Sequence, residues 1–226
     1  TWNGDGGTQT RMGIRIHSGS DNAMIVNNRI RYTVHAGIYA KNNDSLTVVN
    51  NLVEDSGLGA QSYNGIYIYA DGVAARMTNS LIMGNIVRDS NAAAINTRVA
   101  SDDDLVVNPM IVANACDSTK DSNNRLGIQL RGTSGAKVIA NKLDDCGGIR
   151  SPTGAGSSWT DSATITELNS DAVIQANTIT NYTGDEGAIF LQAYSHDGVL
   201  VEGNRIRNAT QGLRLTWPLR NTEIRD

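Results

Sequence analysis

Apolar and polar positions alternate along this chain in short bursts, each opened by a Gly or Ala. They read Gly13-Ile14-Arg15-Ile16-His17, Gly37-Ile38-Tyr39-Ala40-Lys41, Gly65-Ile66-Tyr67-Ile68-Tyr69 and Ala94-Ile95-Asn96-Thr97-Arg98. The later ones are Gly127-Ile128-Gln129-Leu130-Arg131, Gly148-Ile149-Arg150, Ala188-Ile189-Phe190-Leu191-Gln192 and Gly212-Leu213-Arg214-Leu215-Thr216. A period of two over so few residues predicts short strands, each with one buried face.

A second pattern follows the bursts: an aliphatic residue, one free position, a small residue, Asn, one free position, an aliphatic. It runs Ile25 to Ile30 around Asn28, Val48 to Val53 around Asn51, Ile82 to Val87 around Asn85 and Ile111 to Cys116 around Asn114. It returns around Asn141, Asn177 and Asn204. These anchor asparagines are 23, 34, 29, 27, 36 and 27 residues apart. Self-similarity at such a period predicts stacked supersecondary units, because none of these strands buries a face alone. Each coil is expected to hold a Gly-Ile strand, a turn, a strand ending at Asn and a short strand after it. Stacked about 4.8 Å apart, the coils place isoleucine on isoleucine inside and Asn on Asn at one corner. Asn tolerates the left-handed backbone of a sharp turn, and the small residue before it leaves room.

The Asn-x-aliphatic turn, repeated over essentially the whole chain, resembles the right-handed parallel β-helix of the pectate-lyase-like superfamily, which includes polysaccharide lyases and phage tailspikes. The fold class expected is therefore all-β, a right-handed single-stranded parallel β-helix of about seven to eight coils with an Asn ladder. The resemblance implies that the Gly-Ile strands form the first sheet, which floors the polysaccharide groove in that superfamily. One elongated domain is expected over 1–226, and the missing initiator Met suggests a piece of a longer protein.

Composition narrows the function classes. A net charge of −4 leaves no basic excess to displace counterions from phosphates, so no nucleic-acid partner is expected. No apolar run approaches a membrane span. Fifteen Arg stand against four Lys, a bias suited to gripping planar anions as well as to surface ion pairs. Cys116 and Cys146 make neither a disulfide framework nor a metal set, and Cys116 fills an aliphatic repeat position as a small core residue.

Alternation sends one column of the Gly-Ile sheet outward as Arg15, Tyr39, Tyr67, Asn96, Gln129, Arg150, Phe190 and Arg214. A second column runs His17, Lys41, Tyr69, Arg98, Arg131, Gln192 and Thr216. Aromatic faces stack on sugars, amides fork to hydroxyls, and cations pair with carboxylates. Arg15, His17, Tyr39, Lys41, Tyr67, Gln129 and Arg131 are accordingly the expected substrate-binding residues. Insertions at 70–76, 100–104 and 151–170 on one side, and 54–64 and 117–125 on the other, wall that face.

Cleavage would need two carboxylates (glycosidase) or a base with a carboxylate neutraliser (lyase). Tyr69, Arg98, Asp71 and Asp102, past or on the outward strands of neighbouring coils, are the catalytic candidates. Asp55, Asp89, Asp145, Asn181 and Asn208 share the fourth position after an anchor Asn and read as a turn ladder. Asp102-Asp103-Asp104 attracts calcium by composition, but three adjacent acids cannot all face one ion, so no metal or cofactor is assigned.

The column after each inward aliphatic, Val26, Val49, Met83, Val112, Ile139, Gln175 and Glu202, points outward and is largely apolar. Together with Met24, Leu81, Met110, Val173 and Leu200 it suggests a face covered either by a further segment of a longer protein or by identical chains packed around an axis, with a homotrimer as the expected assembly. The expected function is polysaccharide binding with cleavage by lyase or hydrolase chemistry, on an extracellular or virion surface. The ligand class is an acidic or neutral polysaccharide. A non-catalytic shaft or adhesin is the alternative, and a uronate C5-epimerase a further one.

Overall fold

In a computed structural model, the structure describes residues 12–58, 64–72, 74–100, 104–117, 126–146, 148–152, 170–182, 187–192, 198–215 and 220–226. Every strand pairing among them is parallel, and each pairs equivalent residues of successive coils. The Gly-Ile strands form one eight-stranded sheet and the strands before the ladder Asn a second. The strands after the Asn form a third sheet of seven. In the Gly-Ile sheet Ile14 stacks on Ile38, Ile66, Ile95, Ile128, Ile149 and Ile189 in turn. Ile38, Ile66, Ile95 and Ile128 are wholly buried, as are Val48, Ile82, Ile111 and Val138 of the second sheet. Each such side chain contributes on the order of 2 kcal/mol of transfer free energy, so the bore is the main cohesive term.

The ladder spans every coil. The backbone N–H and the Nδ2 of Asn51 both donate to Asn85 Oδ1, at 2.9 and 3.0 Å. The same pair of bonds links Asn85 to Asn114, Asn114 to Asn141 and Asn141 to Asn177. Each side chain also reaches back to a strand carbonyl, as Asn114 Nδ2 does to Ile82 O at 2.9 Å. A buried amide with every hydrogen-bonding group engaged is stable where an unpaired one would not be.

The left-handed residue at this corner is not the ladder Asn but the one before it. Asn27, Asn50, Gly84, Ala113, Ala140, Ala176 and Gly203 have φ between 53° and 65°. The ladder Asn is needed for its side chain, and the small predecessor absorbs the turn. Two further left-handed corners repeat. Six residues before each ladder Asn stand Asn22, Ser45, Asn79, Asn108, Gly135, Asp171 and Gly198. Four residues after it stand Tyr32, Asp55, Asp89, Asp145, Asn181 and Asn208, which makes the turn ladder expected from the sequence a backbone requirement.

One element departs from expectation. Arg76–Thr78, Leu105–Val107 and Thr133–Ser134 form an additional three-stranded sheet where only turn and insertion were expected. Met77 and Val106 point into the bore, so these residues behave as wall rather than loop. The insertions expected from 54 and from 117 begin later than the sequence suggests, because Leu52–Ser56 and Ala115–Asp117 are strands.

The Gly that opens a Gly-Ile strand has a steric reason. A Cβ on Gly37 would lie 2.3 Å from Val53 Cγ1, and one on Gly148 would lie 1.5 Å from Ala188 O. Cys116 and Cys146 are buried core residues, and burial pushes the Cys116 thiol up to about 12. The outward register of the pre-Asn sheet is as expected: Met24 is 72% exposed, and Val26, Met83 and Met110 also face solvent.

Candidate functional site

The Gly-Ile sheet brings together the residues that alternation assigned to its outer face. Tyr39 and Tyr67 are cross-strand partners, as are Lys41 and Tyr69, and Tyr69 and Arg98. Three tyrosine rings meet there. Tyr67 and Tyr69 stack at 5.4 Å between centroids, Tyr39 meets Tyr67 edge-on at 5.5 Å, and Tyr39 lies 6.4 Å from Tyr69. The Arg15 guanidinium sits 5.8 Å from the Tyr39 ring centroid. Such pairs add roughly 0.5–1.5 kcal/mol each beyond burial, so the cluster is a firm platform. Arg15 and His17 are exposed, while Tyr39, Lys41, Tyr67, Tyr69, Asp71 and Arg98 are half-buried.

Asp71 does not stand free. Lys41 Nζ forms an ion pair with its carboxylate. Asn42 Nδ2 donates to Asp71 O at 2.6 Å, and Asp71 N donates to Asn42 Oδ1 at 2.8 Å. Asn42, which the sequence reading passed over, thus extends strand pairing with its side chain. The Asp71 hydrogen bond raises the Lys41 pKa. Burial raises all three tyrosine pKa values, most strongly that of Tyr67, whose hydroxyl also takes a hydrogen bond from Arg98. A raised Tyr or Lys is protonated at neutral pH, so these groups present donors and ring faces rather than a base. Asp102 lies outside the described residues, and with it the expected Asp71–Asp102 pair.

The outward columns are not one continuous open strip. Past the third coil, Asn96 is 5%, Gln129 7% and Arg131 8% exposed, and Phe190 is also buried. Gln129 and Arg131 hold their register positions beside Asn96 and Arg98, but they are covered rather than accessible, which corrects the expectation of a long groove. Alternation reports which side of a strand a residue occupies; it says nothing of what lies over that side. Among the described residues, the accessible side chains that adjoin one another lie in the first four coils, and Arg214 is exposed apart from them in the last. Asn64, also missed, directs the inner end of this site: its Oδ1 accepts from Ala93 N at 3.1 Å and from Asn96 Nδ2 at 3.3 Å.

Among the described residues no group of three His, Cys, Asp or Glu is placed to hold a metal. Asp104 is buried and accepts from Ala75 N at 2.7 Å, which ties it to the wall. No helix among the described residues is long and apolar enough to cross a membrane.

Residues 12–166 match the family model described as the right handed beta helix region, and the chain belongs to that family. The parallel coils are therefore those of a right-handed β-helix. No curated protein matches the sequence. Among solved structures, the chain is similar to the Streptococcus pneumoniae surface protein and adhesin PfbA. The likeness covers 94% of this chain and 68% of that one, at 9% identity and a TM-score of 0.43.

Proposed function

We propose that the first four coils of the Gly-Ile sheet bind a polysaccharide at the cell or virion surface. The observation that carries this reading is the Tyr39–Tyr67–Tyr69 platform with Arg15, Lys41 and Arg98 at its edges. Ring faces match the C–H faces of sugars, and the flanking donors match hydroxyls. Four coils at about 4.8 Å span on the order of 15 Å between the outer strands, room for about three sugar units.

Binding without cleavage is the form of this reading that the electrostatics support best. The described carboxylate at the site is tied to Lys41 and Asn42, and the tyrosines are held protonated by burial. A lyase or hydrolase of the pectate-lyase-like kind, or an epimerase, would need a free base or acid pair that these groups do not supply. The test is a glycan array followed by Tyr69→Ala. Affinity for the bound polysaccharide should fall about tenfold or more, with no oligosaccharide released on long incubation. Unchanged affinity in the variant overturns the binding face; released oligosaccharides replace binding with cleavage.

We also infer that copies of this chain associate in parallel through the ladder corner. Apolar residues lie on both sides of it: Met83, Met110 and Val112 before the Asn, Leu52, Ile86 and Ala115 after it. Covering both faces lets each copy's one face meet its neighbour's other face, and a three-fold ring about an axis parallel to the coils is the closed arrangement we infer. Met83→Lys with Met110→Lys should convert a trimer to monomers in light scattering; a monomeric parent chain removes this inference.

A further inference from the structure

The two outer faces that meet at the ladder corner match each other level by level. The position two before each ladder Asn and the position one after it flank the corner. Down the first column Val49, Met83 and Val112 give way to Glu202. Down the second, Leu52, Ile86 and Ala115 give way to Arg205. Apolar therefore stands level with apolar in three successive coils, and a carboxylate with a guanidinium in the coil of Asn204. In the coil of Asn177 the Gln175 amide is level with the Thr178 hydroxyl. Val26 and Ile139 are level with Arg29 and Lys142, whose aliphatic stems suit an apolar neighbour. One step farther from the corner, Lys137 is level with Asp144.

These charges are available. Arg205 and Lys137 are exposed and form no ion pair among the described residues. The Glu202 side chain is 30% exposed; it accepts from Gln175 Nε2 at 2.9 Å and lies 3.9 Å from Arg225 Nη1. A carboxylate has acceptor sites left for a second cation.

Symmetry then selects between packings of a second copy. A two-fold axis along the coils packs a face on its own kind. It brings Glu202 level with Glu202 and Lys137 with Lys137, or Arg205 with Arg205, and like charges repel. A two-fold across the coils, centred on the sheet, sets Glu202 level with Val26 and Lys137 level with Leu81, so that charges are covered without a partner. Parallel packing of one face on the other matches apolar to apolar and charge to opposite charge.

We propose that Glu202 of each copy pairs with Arg205 of the next, and Lys137 with Asp144, in a parallel ring whose copies stand level. This rests on the parallel association proposed above and adds its register. A slip of one coil would carry Glu202 to Thr178 or past the last strand of the facing sheet, so the charged coil fixes the axial position. The apolar coils, which are alike, would tolerate the slip.

The test is sedimentation equilibrium on the full chain and on Glu202→Arg, Arg205→Glu and the two combined, with circular dichroism melts to confirm folding. The parent should sediment as a trimer. Each single reversal should raise its dissociation constant about tenfold or more, and the combined reversal, which restores opposite charges, should return it to within about threefold of the parent. Lys137→Glu should also weaken the trimer, and Lys137→Arg should not. A monomeric parent removes the association and this pairing with it, and a dimeric parent overturns both, because its faces then meet like on like. A trimer that is indifferent to the single reversals, or a combined reversal no stronger than either alone, leaves the association standing and overturns the pairing.

Discussion

Half of each coil is constant and half is not. Among the described residues, from six before each ladder Asn to four after it, left-handed corners recur at fixed positions, five residues apart. The rest of the coil, through the Gly-Ile strand, absorbs the whole variation in repeat length from 23 to 36 residues. The constant half is held by bonds that each rung shares with the next, so an inserted residue would break two rungs together. The variable half needs only its inward isoleucines in register, and its outer face is free to carry Tyr, Arg, Lys and Asn. Chemistry accumulates where the fold is indifferent to it.

The strongest way to break this contrast is at the ladder. Asn114→Ala removes the acceptor for the N–H and Nδ2 of Asn85 and the donor to Ile82 O and Asn141 Oδ1. Orphaning that many buried groups should cost about 3–5 kcal/mol, read as a lower denaturation midpoint in urea. A loss near 1 kcal/mol would mean that the rungs act singly.

The Gly-Ile half has its own rigid point. Gly37→Ala drives a methyl against Val53 Cγ1 and towards Gly65 O, and should cost about 1–3 kcal/mol. Wild-type stability in this variant would show that even the entry to the strand is tolerant.

Alkali tests the tyrosine platform. The pKa of Tyr67 is raised by burial above the unfolded value of 10.0, so the folded state keeps a proton that the unfolded state has lost. Stability is therefore full below pH 10 and falls as pH climbs towards the folded pKa. Urea midpoints measured from pH 9 upward should decline, and the decline should lessen in Tyr67→Phe. A flat profile in the parent chain would mean that the ring is not desolvated.

The smallest effect returns to the constant half. Ser80 Oγ is buried and without a hydrogen-bond partner among the described residues, at a position where other coils carry Ala136 and Ala172. Ser80→Ala should raise stability by about 1 kcal/mol; a destabilisation would reveal a bond to that hydroxyl.

The ladder was legible because its requirement is local. Asn with a small predecessor and flanking aliphatics states the corner within six residues, and repetition states the stacking. The outward register of Tyr39, Tyr67, Tyr69 and Arg98 was legible for the same reason. The sequence did mistake which residue takes the left-handed backbone, since Asn suits both roles and only the coils with Gly84, Ala113, Ala140, Ala176 or Gly203 separate them. The sheet of Arg76–Thr78 was hidden because two or three residues are too few to show a period.

By itself the sequence determined the solenoid, its ladder corner and the side of each strand that every residue occupies, because those follow from periods of two and from a repeated turn. Only the tertiary structure decided that Asp71 is bound to Lys41 and Asn42, that Gln129 and Arg131 are covered, and that Asn96 and Arg98 are left with unpaired groups. Those facts depend on contacts between residues about thirty positions apart, and no local pattern encodes how densely one coil is packed by the next.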